Sequence, residues 1–156
     1  MLKHTRCLVS LTLASFLLAS GCSAAEKNEK EADTTSQRSE SPTPDKLTVY
    51  YFHTTQRCWT CNQFEKLTRE VLTKDFAGKL SDGVLEFKAI NIEKEPHKHF
   101  VRDYRLVTKS LILSLAGDGT EVEWKNLDEI WQLARDSEKF KEYVRGGIEE
   151  YLKKIG

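Results

Sequence analysis

The sequence predicts an α/β domain: a central mixed four-stranded sheet with helices on both faces. Apolar residues recur with periods of 2 and 3.6 in the order strand, helix, strand, helix, strand, strand, helix. The first two strands are separated by a helix, the spacing of a parallel crossover, whereas the last two are joined by a tight turn and must run antiparallel. The chain has 156 residues, of which 39% are hydrophobic, enough for one domain with a real core and too few for two ordinary ones.

The chain begins with a segment that does not belong to that core. Lys3 and Arg6 precede the apolar run "CLVSLTLASFLLAS", the pattern of an export signal and shorter than the roughly 20 apolar residues of a membrane-spanning helix. The run ends in "LLASGC", small residues directly before Cys22. Residues 1–21 are therefore expected to be a signal peptide. Residues 22–45, "CSAAEKNEKEADTTSQRSESPTPD", contain no aromatic residue and no Val, Ile or Leu, and read as a flexible tether with a root-mean-square reach of about 25 Å. The folded domain is expected over residues 46–156.

Within that domain, "LTVYYF" (Leu47 to Phe52) is a short β-rich run expected to be buried on both faces. Cys61, Phe64, Leu67, Val71 and Leu72 follow at helical spacing, predicting a helix from Cys58 to about Lys74. "GVLEFKAINI" (Gly83 to Ile92) alternates and reads as a strand. Pro96 suits a helical first turn and opens a short predicted helix, "HKHFVRDY". "SLILSL" and "EVEWKN" flank Gly117, Asp118 and Gly119, a hairpin. Asn126, with Glu129 three residues on, predicts a helix start, so that helices run through "LDEIWQLARDS" and "SEKFKEYVRGGIEEYLKKI" with a break near Asp136. Trp131 is expected in the core of the first of these, and the facing of Trp124 is undecided.

Four cysteines are present, but the predicted processing removes Cys7 and consumes Cys22, leaving Cys58 and Cys61. Removing Lys3 and Arg6 from the 24 basic residues leaves 22 against 24 acidic ones, so no basic excess points to nucleic acid. The two remaining thiols stand in "RCWTC" at a predicted helix start. That spacing lets two sulfurs close a disulfide, and the free N–H groups of a first turn favour a thiolate. Cys58, at the helix end, is expected to be the nucleophile; Cys61, one turn in and on the apolar face, the resolving thiol. Arg57 is expected to lower the Cys58 pKa further, and His53 would do the same if it folded over the site. Trp59 and Thr60, between the thiols, are candidate docking contacts. An inert disulfide is a weaker reading, because it would constrain very little chain. A metal site is another, with His97 and His99 completing a two-Cys, two-His set. Their H-x-H spacing is off the usual pattern of structural zinc, and on a helix they point about 200° apart.

Two resemblances follow from these residues. "LLASGC" resembles the lipobox of bacterial lipoproteins, which implies acylation at Cys22 and a lipid-anchored, extracytoplasmic place in the cell envelope. A CxxC after the first strand resembles the thioredoxin fold over residues 46–156. More narrowly, "YYFHTTQRCWTC", "AINIEKEPHKHFVRDYRLVTKSLIL" and "KNLDEIWQL" resemble a small thioredoxin-like bacterial family labelled nitrophenyl compound nitroreductase subunit. That resemblance implies an RCxTC dithiol carried by Arg57, Cys58, Thr60 and Cys61, and the company of arsenical-efflux-type membrane proteins. Thioredoxins place a cis-proline before the third core strand; the matching "VTKSLIL" puts Ser110 there, so a trans peptide and altered substrate docking are expected. Thioredoxins also bury an aspartate beneath the resolving cysteine, where this chain offers Tyr50, Tyr51 and Phe52. The resulting expectation is a membrane-anchored thiol-disulfide oxidoreductase or electron-transfer domain. Its only redox group would be the Cys58–Cys61 disulfide, and its partner a protein thiol or disulfide, an integral-membrane electron donor or transporter among the candidates. The alternative is a metal- or metalloid-binding module holding copper, zinc or arsenite on the same two cysteines.

Overall fold

The computed structural model describes residues 42–156; the predicted signal peptide, Cys22 and the tether up to residue 41 lie outside the described residues. The elements are β1 (Lys46–His53), α1 (Trp59–Asp75), α2 (Ala77–Ser81), β2 (Leu85–Asn91), α3 (His99–Asp103), β3 (Ser110–Gly117), β4 (Thr120–Asn126) and α4 (Ser137–Leu152), with a 3₁₀ turn at Asp128–Trp131. The strands form one sheet in the order β2-β1-β3-β4. β1 pairs parallel with β2 and antiparallel with β3, and β3 pairs antiparallel with β4. This is the mixed four-stranded, thioredoxin-like arrangement the sequence predicts.

β1 is one of the two inner strands, and its side chains alternate between two cores. Leu47, Val49 and Tyr51 join Leu111, Leu113 and Leu115 of β3 in the larger one. That core is closed by Phe64, Leu67 and Val71 of α1 and by Phe140, Val144 and Ile148 of α4, with the Phe64 and Phe140 rings stacked at 5.2 Å. On the opposite face Phe52 and Ile112 pack with Tyr104 and Leu106, flanked by Tyr50 and Phe100. Trp124, opposite Ser114 on β4, stands edge-on to Tyr104 at 5.3 Å, which settles its facing toward this second cluster.

The turn between β3 and β4 uses positive φ at both Asp118 (51°) and Gly119 (75°), the pairing that matches a hairpin to strand twist. Gly117 is required for a different reason: a Cβ there would lie 2.3 Å from the Thr43 carbonyl oxygen. The chain between Pro42 and Asp45 thus packs on the end of β3, where Asp45 N–H donates to Ala116 O at 2.9 Å.

Three expectations are corrected. Residues 127–136 form only the 3₁₀ turn and further turns, because Asn126 ends β4 opposite Ile112 and Leu127 N–H extends the ladder to Leu111 O, so neither is free to start a helix. The start signal belongs instead to Asp136, whose carboxylate accepts from Lys139 N–H and caps α4. Trp131 consequently stays 38% exposed rather than becoming core. The helix predicted from His97 shortens to His99–Asp103, because consecutive turns (Lys94 N–H to Asn91 O, His97 N–H to Lys94 O) occupy the preceding residues. α2 has no counterpart in the periodicity, being five residues long.

Phe140, fully buried and stacked on Phe64, is the aromatic hinge between α4 and α1. Phe140→Ala is expected to lower unfolding stability by about 3–5 kcal/mol, read as a shift in the denaturant midpoint at unchanged slope.

Candidate functional site: the Cys58–Cys61 dithiol

The site forms where β1 ends and α1 begins. Cys58 is the N-cap of α1 in extended conformation (φ −82°, ψ 171°), so its side chain folds over the first turn and Sγ accepts from Cys61 N–H at 3.4 Å. The same turn brings the two sulfurs to 2.8 Å, within reach of a disulfide. Cys58 is exposed, whereas Cys61 is 1% exposed on the apolar stripe that continues with Phe64.

This asymmetry separates the two thiols chemically. A hydrogen bond from the Cys61 thiol, then the Cys61 and Thr60 N–H groups, draw Cys58 below its ordinary range. Burial pushes Cys61 up, and its role as donor to Cys58 pushes it further. Of the two sulfurs, the accessible one is thus the more acidic and the buried one the less acidic.

Tyr51 and Glu65, which the motif does not contain, support this turn. Tyr51 is fully buried on the α1 side of β1, and its hydroxyl donates to Cys61 O at 2.8 Å. Burial holds its phenol well above the usual range, so it remains a donor at neutral pH. Arg57 Nη2 donates to the same carbonyl at 3.4 Å and to Glu65 Oε2 at 2.6 Å; Glu65 in turn accepts two hydrogen bonds from Arg69. Burial raises the Glu65 carboxyl, but the Arg69 and Arg57 hydrogen bonds outweigh it and leave the group below the usual carboxylate range.

The Arg57 guanidinium is committed to Glu65 and the Cys61 carbonyl, and the main influences on Cys58 come from Cys61 and the first-turn N–H groups. His53 Nδ1–H donates to Thr54 O at 2.9 Å. Trp59 is 68% exposed beside Cys58, and Thr60 is half-buried. Ser110 pairs with Phe52 and is 4% exposed, its hydroxyl turned to Thr108 O; the peptide before it is trans. Its neighbour Lys109 instead joins Cys58, Arg57 and Glu93 around an open cleft of about 470 Å³. His97 and His99 hydrogen-bond to Asn91 O and Asp103 respectively, and no group of three or more candidate metal ligands assembles among the described residues. The two-Cys, two-His set is therefore not brought together.

Tyr51 was within reach of strand alternation, which puts it on the same face as Leu47 and Val49. Glu65 was signalled by its i,i+4 spacing to Arg69. Nothing local points to Lys109 or Glu93, which arrive from other strands' ends.

No protein-family model and no curated protein matches the chain. Among solved structures it is similar to a thioredoxin from Thermus thermophilus (15% identity, 59% of this chain, 76% of that one, TM-score 0.34). It is also similar to the reduced Schistosoma mansoni thioredoxin pre-protein (19% identity, 62% and 81% covered, TM-score 0.36) and to Fasciola hepatica thioredoxin (17% identity, 66% and 83% covered, TM-score 0.33). At scores of this size the class rests on the chain's own strand order and dithiol placement: this is a thioredoxin-like domain with a CxxC pair at the start of α1. None of these matches bears the nitrophenyl compound nitroreductase label.

Alkylation with pH should resolve the two thiols. Cys58 is expected to label first, with a midpoint below the ordinary value near 8.5, and Cys61 only at higher pH. Cys61→Ala, which removes the foremost donor, should raise the Cys58 midpoint more than Arg57→Gln does; peptide mapping of the labelled protein reads both.

Proposed function

We propose that this protein is a thiol-disulfide oxidoreductase of the cell envelope, anchored to a membrane through acylated Cys22 and acting on protein thiols or disulfides. The observation that carries the reading is the unequal pair itself: an exposed, acidified Cys58 in contact with a buried Cys61. In the oxidising direction, a partner thiolate attacks the Cys58–Cys61 disulfide at Cys58 and expels Cys61. In the reducing direction, Cys58 attacks a partner disulfide, and Cys61 then displaces the partner from the mixed disulfide. Trp59, 68% exposed beside Cys58, supplies apolar surface for a docking protein. An integral-membrane electron donor or transporter, in keeping with the family resemblance of "RCWTC", is the partner class we favour.

Cys61→Ser is expected to accumulate mixed disulfides with the partner, and Cys58→Ser to trap nothing; equal behaviour of the two variants would overturn the assignment. The same two sulfurs, 2.8 Å apart, form a soft donor pair for copper, zinc or arsenite. Elemental analysis beside a thiol titration separates that alternative, since a resident ion would protect both thiols in stoichiometric amount.

Anchoring has its own test. Wild-type protein should sediment with membranes, whereas Cys22→Ser should be unprocessed or mislocalised; a cleaved Cys22→Ser protein that still associates normally would overturn the lipid anchor.

A further inference from the structure

The cleft beside Cys58 has a composition that docking of a protein surface does not call for. Its lining is polar throughout: Thr54, Gln56, Arg57, Glu93 and Lys109 around the exposed sulfur. Its volume, about 470 Å³, falls in the range of small-molecule sites, roughly 300–1,000 Å³. Arg57 is already spent on Glu65, whereas Glu93 and Lys109 act on each other across the cleft without forming a salt bridge. Lys109 is half-buried and forms no ion pair among the described residues, and in particular does not pair with Glu93 across the cleft.

Glu93 is held in place, and the backbone that carries Lys109 is anchored. Glu93 Oε2 accepts from Thr55 N–H at 2.8 Å, and Glu93 N–H donates to Asn91 Oδ1 at 3.0 Å. Asn91 Nδ2 donates to Thr55 Oγ1 at 3.0 Å, closing a ring that fastens the loop after β2 to the loop before Cys58. On the other side, Trp131 Nε1–H donates to Lys109 O at 3.0 Å, fixing the backbone from which the ammonium group extends. A fixed anion and a cation on a four-carbon stem, both lining the cleft beside a nucleophilic sulfur, match a zwitterion that itself carries sulfur.

We propose that this cleft is a subsite for the α-amino-acid end of a low-molecular-mass disulfide, with Lys109 receiving its carboxylate and Glu93 its ammonium group. The inference rests on the dithiol reading of Cys58 and Cys61 and adds a small-molecule substrate class to it. Bound in this way, one sulfur of the disulfide lies at Cys58. The Cys58 thiolate attacks it, the ligand S–S bond breaks, and the first thiol leaves with a proton from solvent. Cys61 then attacks Cys58 Sγ, its proton passing to the second departing thiol. Two thiols are released, the ligand gains two electrons, and the protein is left as the Cys58–Cys61 disulfide.

Single-turnover oxidation of the reduced full chain tests this, followed by tryptophan fluorescence, with peptide mapping to confirm the Cys58–Cys61 product. The oxidants are cystine (both charges), cystamine (ammonium only), dithiodiglycolate (carboxylate only) and 2-hydroxyethyl disulfide (neutral), each normalised to its rate with dithiothreitol. Cystine should exceed hydroxyethyl disulfide, and because a partly screened ion pair is worth a factor of about three to five, each charge variant should lower a ratio by that much. Lys109→Gln should lower the ratio of cystine and of dithiodiglycolate to hydroxyethyl disulfide, but not that of cystamine. Glu93→Gln should lower those of cystine and cystamine alone. Equal normalised rates, or ratios unmoved by both substitutions, would overturn the subsite while leaving the dithiol reading intact. Failure of all four oxidants to produce the Cys58–Cys61 disulfide would overturn both.

Discussion

The inner position of β1 is the constraint from which the rest of the structure follows. Its residues are bonded on one side to β2 and on the other to β3, so no backbone edge is free, and its side chains enter two different cores. Such a strand must be apolar on both faces, which "LTVYYF" satisfies. Its end is paired on both sides, Phe52 with Ile90 and with Ser110. Only Thr54 to Arg57 separate His53 from Cys58, and α1 must lay Phe64, Leu67 and Val71 back on the sheet. Those two demands place the first turn of α1 over the end of β1. Tyr51 then locks it from below by its bond to the Cys61 carbonyl.

The chemical inequality of the two cysteines is a consequence of that placement. The apolar stripe that anchors α1 includes Cys61 and excludes Cys58, so desolvation acts on one sulfur and first-turn donors act on the other. Arg57, the cation adjacent in sequence, is part of the architecture. Its bridge to Glu65, continued by Arg69, runs along α1 and holds the loop before Cys58 against the helix.

The second core, on the opposite face, has an indirect part in the site. Phe52, Phe100 and Tyr104 bring their rings within 5.1–5.9 Å of one another and hold α3 on the sheet. α3 sits in the connection between β2 and β3, the connection that carries Glu93 at one end and Lys109 at the other.

The succession of strands and helices, the hairpin at Asp118–Gly119, the α1 stripe and the contrast between an accessible Cys58 and a buried Cys61 were all legible in the sequence, because each depends on periodicity or on residues a few positions apart. The region from Leu127 to Asp136 was misread because a local helix-start signal competed with ladder bonds from Asn126 and Leu127 to β3, a contact between distant segments. For the same reason the direction of the Arg57 side chain, the exposure of Trp131 and the cleft formed with Glu93 and Lys109 were decided only by tertiary structure. Local pattern determines which face a side chain occupies. Which partner it meets there is decided by loops that converge after the sheet has formed, and no spacing within the motif encodes that.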